Sequence, residues 1–282
     1  MDRKRISRLY FLLTAAFCFV GVALRAVCML TQFDKVVGYF NRGFLSVADT
    51  VLYFIAVISG IVGACLLPKR DLPVTLRTPC RAPLAYAVGL ALVAFTAISL
   101  MVSYEAYLTT KTIADWLLVI SALPAAAYFL ISARLHGIYR DAVTFVGFFP
   151  ILWSASAVAI TYSDPFVAMN SPIKVSIQMG LLGFMFIMLP ELNCRLGKPV
   201  SRKAIAMTAI GTYAALVSSL PLLLSAWISP ALTYTLCAIV LLAVGLYGGY
   251  MLFCYTCASS HEQEESALEG PCTPDTQLDL ND

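Results

Sequence analysis

Phe44–Leu67 reads FLSVADTVLYFIAVISGIVGACLL, and Pro68–Arg81, directly after it, reads PKRDLPVTLRTPCR. The first stretch is apolar and, at about 1.5 Å per residue, long enough to cross a hydrocarbon core of about 30 Å. It holds one acid, Asp49. The second stretch is basic and broken by prolines, so it is a loop and not a continuation of the helix. Short loops rich in Lys and Arg stay in the cytoplasm. This apolar span and its basic loop therefore orient every other span in the chain.

The rest of the chain repeats the pattern. Of 282 residues, 60% are hydrophobic and only 12% are charged, about half the charged share of a soluble domain. Lipid must be the second solvent. Hydropathy divides the chain into eight helices: Leu9–Leu30, Phe44–Leu67, Leu84–Ser103, Ile113–Ile131, Val143–Thr161, Ile173–Leu189, Ala204–Trp227 and Ala231–Tyr255. The sixth is short and opens on polar residues. The fold class expected is all-α, a polytopic membrane protein with eight transmembrane helices.

Charge sets the topology. The segment 258–282 carries seven acids and no Lys or Arg, while the remainder carries a net +10. With the N-terminus inside, fourteen of the nineteen basic residues fall in cytoplasmic segments. Both termini are thus expected in the cytoplasm, facing anionic headgroups. The basic loops are topology signals, and no nucleic-acid partner is expected. MDRKR could open a signal peptide, but the apolar run is too long and Arg25 interrupts the only small-residue site, so an uncleaved first helix is expected. There is no Asn-x-Ser/Thr sequon, which points to a bacterial plasma membrane. Residues 1–257 form the membrane domain, and 258–282 are expected to be an acidic, disordered tail.

Order of features also points to a parallel repeat. Helices one to three and five to seven share an outer loop with Asp…Asn, a second helix ending in LLP or MLP, and a basic loop with Cys80 or Cys194. The offset is roughly 120–130 residues, as in transporters built from two like halves, here 1–135 and 136–257.

Few strings carry chemistry. His136-x4-Asp141 resembles the His-x4-Asp element of glycerolipid acyltransferases, where His is the base and Asp orients it. The resemblance covers two residues, and that family's Glu-Gly-Thr-Arg-like block is absent, so it reads as a loop coincidence. Cys254-x-x-Cys257 is half of a zinc site, but a site needs about four ligands and the chain has only two histidines. Nine cysteines are dispersed over spans, loops and tail with no framework spacing. No cofactor and no metal are expected. Ser59, Gly60, Gly63 and Ala64 form a small-residue face, and Gly245-x-x-x-Gly249 is a packing motif.

What remains is ionisable groups inside or beside spans, which by default mark function. Arg25 lies about 25 Å up its span from Arg8, and Asp49 about 8 Å down from Phe44, so their depths match within a turn. Glu105, Asp115 and Lys174 crowd the same outer side, and Gln178 shares a helix face with Lys174. These six, Arg25, Asp49, Glu105, Asp115, Lys174 and Gln178, are the candidate substrate-binding residues of a polar cavity open to the outside. The inner halves of the spans read as nearly uncharged. The leading expectation is a transporter or binder of a small solute. A membrane scaffold packing with other membrane proteins is the alternative, and a membrane enzyme is least supported.

Overall fold

The computed structural model describes residues 3–34, 39–41, 43–67, 81–109, 113–134, 140–163, 171–196, 198–226 and 232–258. The basic loop 68–80, His136 and the acidic tail lie outside them. In chain order come α1 (Arg3–Thr31), the strands β1 (Phe33–Asp34) and β2 (Tyr39–Phe40), α2 (Phe44–Leu66), α3 (Arg81–Thr109) and α4 (Ile113–Arg134). A short α5 (Arg140–Val146) leads into α6 (Phe148–Ser163), then α7 (Pro172–Arg195), α8 (Arg202–Ala226) and α9 (Leu232–Phe253). A π-helical turn, Cys254–Ala258, closes the described chain.

Among the described residues, eight helices are long and apolar enough to cross a membrane, and they follow the expected order. The protein is an all-α, multi-pass membrane protein. The fifth span, Val143–Ser163, takes in the end of α5 and all of α6. Gly147 joins the two, and a Cβ there would collide with the side chains of Leu192 and Tyr128. The missing side chain lets the fifth span press onto α7 and α4.

The sixth span corrects the expectation. It is not a short segment ending at Leu189 but a helix of 24 residues, Pro172–Arg195. Pro172 supplies the preset dihedral of a first turn, and the helix runs through Pro190 to Arg195. A proline inside a transmembrane helix is tolerated where neighbours re-satisfy the freed backbone. α4 and α8 likewise continue through Pro124 and Pro221.

Six helices, α3, α4, α6, α7, α8 and α9, close a ring by neighbour packing, and α7 also touches α9 across it. The interior is filled by aromatic rings. Phe95 meets Trp153 edge-on with centroids 5.4 Å apart, Trp153 meets Phe184 at 5.9 Å, Phe184 meets Phe129 at 6.1 Å, and Phe129 meets Tyr247 at 5.6 Å. That chain links α3, α6, α7, α4 and α9. Edge-to-face pairs add to the area they bury, so the middle of the bundle is aromatic.

α7 and α8 approach backbone to backbone. A Cβ on Gly183 would stand 2.7 Å from the carbonyl oxygen of Gly211, and one on Gly211 would stand 2.5 Å from that of Gly183. The Gly245 motif does the expected work at the next interface, where its missing Cβ leaves room for Leu216 of α8.

α1 and α2 are appended outside the ring, against α8. In the most apolar stretch of α2 only 17% of residues are buried, against 67% in α8. Phe54, Ile58 and Ile61 of α2 are exposed to what is lipid in a membrane. The small-residue face of α2 packs as read. The Tyr10 hydroxyl of α1 donates to the carbonyl of Gly60 at 2.9 Å, and Gly63 lies under the Tyr10 ring. Cys18, Ala56, Tyr213 and Val217 form a small separate core at the α1–α2–α8 junction.

Candidate functional site

Two polar clusters stand at the two ends of α7. Because α1 begins at one face of the bundle and successive spans alternate, Arg25, Asp49 and the start of α7 share the far face. Glu191, Arg195 and the end of α4 share the face where α1 begins.

At the far face, the Arg25 guanidinium donates through Nη1 to the Asp49 carboxylate and through Nη2 to the Ser176 hydroxyl at 2.6 Å and the Pro172 carbonyl at 3.2 Å. One side chain of α1 thus holds α2 and α7 together. The pair is nearly sealed, with side chains 15% and 9% exposed. A planar guanidinium suits this work because its fixed fork of donors reaches several acceptors at once. The loop after α1 closes over it. Phe33 and Asp34 pair antiparallel with Phe40 and Tyr39, Phe33 meets Phe40 edge-on, and the Phe40 ring lies 5.1 Å from the Arg25 guanidinium carbon. An aromatic face on a desolvated cation is attractive.

The expected pairing of Arg25 with Asp49 is therefore present, and the other four candidates divide. Lys174 is buried, at 1% exposed, and Gln178 is half-buried. Both lie on α7 with Ser176, but at 100° per residue their face is turned about 160° from it. Lys174 and Gln178 thus project from another face of α7 than Ser176 does. Glu105 and Asp115 occupy helical positions in α3 and α4, and their side chains lie outside the described residues.

Ser176, the Pro172 carbonyl and Phe40 were not foreseen. The signal for Ser176 was its place on the other face of a helix already marked by Lys174, but a serine in a span reads first as a packing residue. The Phe40 contact needs a two-residue ladder too short for any pattern.

The second cluster was missed altogether, and it corrects the reading of the inner halves as nearly uncharged. Glu191 is fully buried within α7. The Tyr128 hydroxyl of α4 donates to Glu191 Oε1 at 2.7 Å. Arg195, one turn on, donates from Nε to the Tyr128 oxygen at 2.6 Å and from Nη2 to Glu191 Oε1 at 3.1 Å. Its guanidinium carbon stands 5.0 Å from the Tyr128 ring. Beside it, the Cys194 thiol donates to the Tyr255 hydroxyl of the π-helical turn at 3.5 Å. Ending the helix at Leu189 had placed Glu191 and Arg195 in a basic loop, where charges need no partner.

The clusters share one geometric property. Neither α1 nor α4 packs appreciably against α7 along its length, since the close neighbours of α7 are α6, α8 and α9. Side chains reach α7 from both, Arg25 from α1, and Tyr128 together with the Phe129 ring against Phe184 from α4. Ser176 and Glu191 are fifteen residues apart on α7, or about 22 Å, with the aromatic chain between them.

No protein-family description, no curated protein and no solved structure matches the chain. The class is set by the fold: a multi-pass α-helical membrane protein with a polar cluster at each end of one central helix.

Proposed function

We propose that the protein is a transporter of a small solute and that α7 is the helix on which its two gates act. The observation that carries this reading is bridging without packing. At each end of α7 a side-chain bridge ties it to a helix, α1 or α4, whose backbone is not among its close neighbours, α4 adding the Phe129–Phe184 ring contact. Packed helices separate only by exposing their interface. Helices joined by an ion pair or hydrogen bonds can part and rejoin, which is the behaviour of a gate. Ionisable groups buried in spans also mark function by default. The aromatic chain between the bridges supports one end opening while the other stays shut.

Positive-inside charge supports a cytoplasmic position for the face where α1 begins. Arg25–Asp49–Ser176 is then the outer gate and Glu191–Tyr128–Arg195 the inner one. The same rule supports anionic headgroups against the exposed Arg5, Arg8 and Lys203, and the lack of an Asn-x-Ser/Thr sequon supports a bacterial plasma membrane as the host. A scaffold role is the second reading, favoured by the peripheral α1–α2 hairpin, whose exposed Val47, Phe54 and Ile58 offer a face to another membrane protein.

A double-mutant comparison in proteoliposomes separates the two. Asp49→Asn lowers thermal stability, and Arg25→Gln with Asp49→Asn restores most of it. Flux measured over a panel of labelled neutral and charged small solutes is lost in both variants if the pair is a gate. Wild-type flux in the stable double variant would make the bridge structural and remove it as a gate, and no flux of any solute in the wild type would leave the scaffold reading.

A further inference from the structure

Trp153 lies in the fifth span, in the middle of the aromatic chain, and is fully buried. Its indole Nε1 is buried and has no hydrogen-bond partner among the described residues. An indole N–H only donates, and leaving it unmatched in a buried interior is costly. Such a group calls for an explanation in a native structure. Its neighbour Ser154 does not share the defect, since that hydroxyl donates to the Leu181 carbonyl at 2.7 Å.

A second buried polar atom without a partner is Ser99 Oγ of α3. Ser99 stands one turn beyond Phe95, on the same face of α3, and Phe95 is the ring that meets Trp153 edge-on. Two unmatched groups thus lie on α3 and α6, each within about a turn of the Phe95–Trp153 contact. The walls there are the rings of Phe95 and Phe184. The described charges stand towards the ends. Lys174 is seven residues along α7 from Leu181, or about 10 Å.

We propose that Trp153 Nε1 and Ser99 Oγ form the central binding position for the solute, and that the solute is a small neutral molecule with a carbonyl-type oxygen on an apolar body. This inference rests on the transport reading above. The two donors require an acceptor, the aromatic walls require an apolar body, and the lack of a described cation at this depth disfavours a carboxylate. The position lies between the two bridges of α7, where a solute passing from one gate to the other would pause.

The test reads the indole N–H directly. In micelles, ¹⁵N-tryptophan labelling of the full chain gives one indole resonance each for Trp116, Trp153 and Trp227, and Trp153→Phe assigns the one that disappears. The Trp153 resonance is expected upfield of the other two, as for an N–H without an acceptor. Cyclohexanone is the probe, cyclohexane the control without an acceptor, and cyclohexanecarboxylate the charged control. Cyclohexanone should move the Trp153 resonance downfield saturably, with little effect from either control, and Ser99→Ala should weaken its binding about fivefold.

A Trp153 resonance already downfield and exchanging with water would assign the site to a trapped water and overturn the proposal. A shift that is unsaturable, or shared by all three indoles, would be partitioning and would overturn it too. Asp49→Asn separates this proposal from the reading beneath it. If cyclohexanone binds Trp153 with the same affinity in that variant, the site stands and the coupling of bridge to solute falls. If the variant shifts the affinity, both stand. If cyclohexanone does not bind at all, the site falls, and the flux comparison still decides the transporter.

Discussion

The two ends of α7 hold arginines by different means, and the difference shows how a membrane protein keeps a charge in a span. Arg25 is held by its tertiary neighbours. Its acceptors come from α2 and α7, 24, 147 and 151 residues away in sequence, and Phe40 covers it. Arg195 is held mostly by its own helix. Glu191 precedes it by one turn, and Tyr128 reaches it from α4. The two arginines are equally exposed, at 15% each. What differs is the escape route. Arg195 is the last residue of its helix and can extend to the headgroups. Arg25 sits six residues before the end of α1, or about 9 Å deeper.

That contrast orders the expected losses. Asp49→Asn should cost the most, about 3 kcal/mol, because it strands a cation that cannot reach water. The cost should be strongly non-additive with Arg25→Gln in a thermal-unfolding cycle. Additive effects would mean that the two residues do not depend on each other and would erase the distinction between the ends.

Glu191→Gln should cost less, about 2 kcal/mol, although Glu191 is the more deeply buried acid. The amide still accepts from Tyr128, and Arg195, at the helix end, can extend to the headgroups. A loss larger than that of Asp49→Asn would show that Arg195 is trapped after all. Reading both variants in chemical denaturant gives the order directly.

Tyr128→Phe removes one hydroxyl from the end with its own escape route and should cost about 1 kcal/mol. Its sharper effect is local. Cys194, next to Arg195, should react faster with a water-soluble maleimide, measured with the other cysteines replaced by serine or alanine. An unchanged rate would show that Tyr128 does not hold this end shut.

Ser176→Ala should have the smallest effect, about 0.5 kcal/mol, since Arg25 keeps Asp49 and the Pro172 carbonyl. A loss approaching that of Asp49→Asn would move the weight of the far-face cluster from α2 to α7.

Much of this molecule could be read before any fold was known. Eight spans were legible because each backbone must satisfy its own hydrogen bonds in lipid, so a long apolar run has little choice but a helix. Arg25 and Asp49 were legible as a pair because charges in hydrocarbon are costly and consecutive spans are near neighbours. Local periodicity also exposed the small faces at Gly60–Ala64 and Gly245–Gly249.

The rest depended on tertiary structure. Hydropathy ended the sixth span at Leu189, since a proline and two charges look like a boundary, and only the partnership with Tyr128 makes Glu191 and Arg195 part of the interior. The same helix carries Lys174 and Gln178 away from Ser176, which depth along the membrane could not reveal because depth holds no information about azimuth. Trp153 shows the limit most clearly. Its sequence context, ILWSAS, is that of any buried aromatic. That its N–H meets no acceptor among the described residues follows only from the rings that α3 and α7 bring against it. Span and depth are properties of one helix against lipid, and a chain can state them locally. Facing and partnership are properties of helices against each other, and only packing decides them.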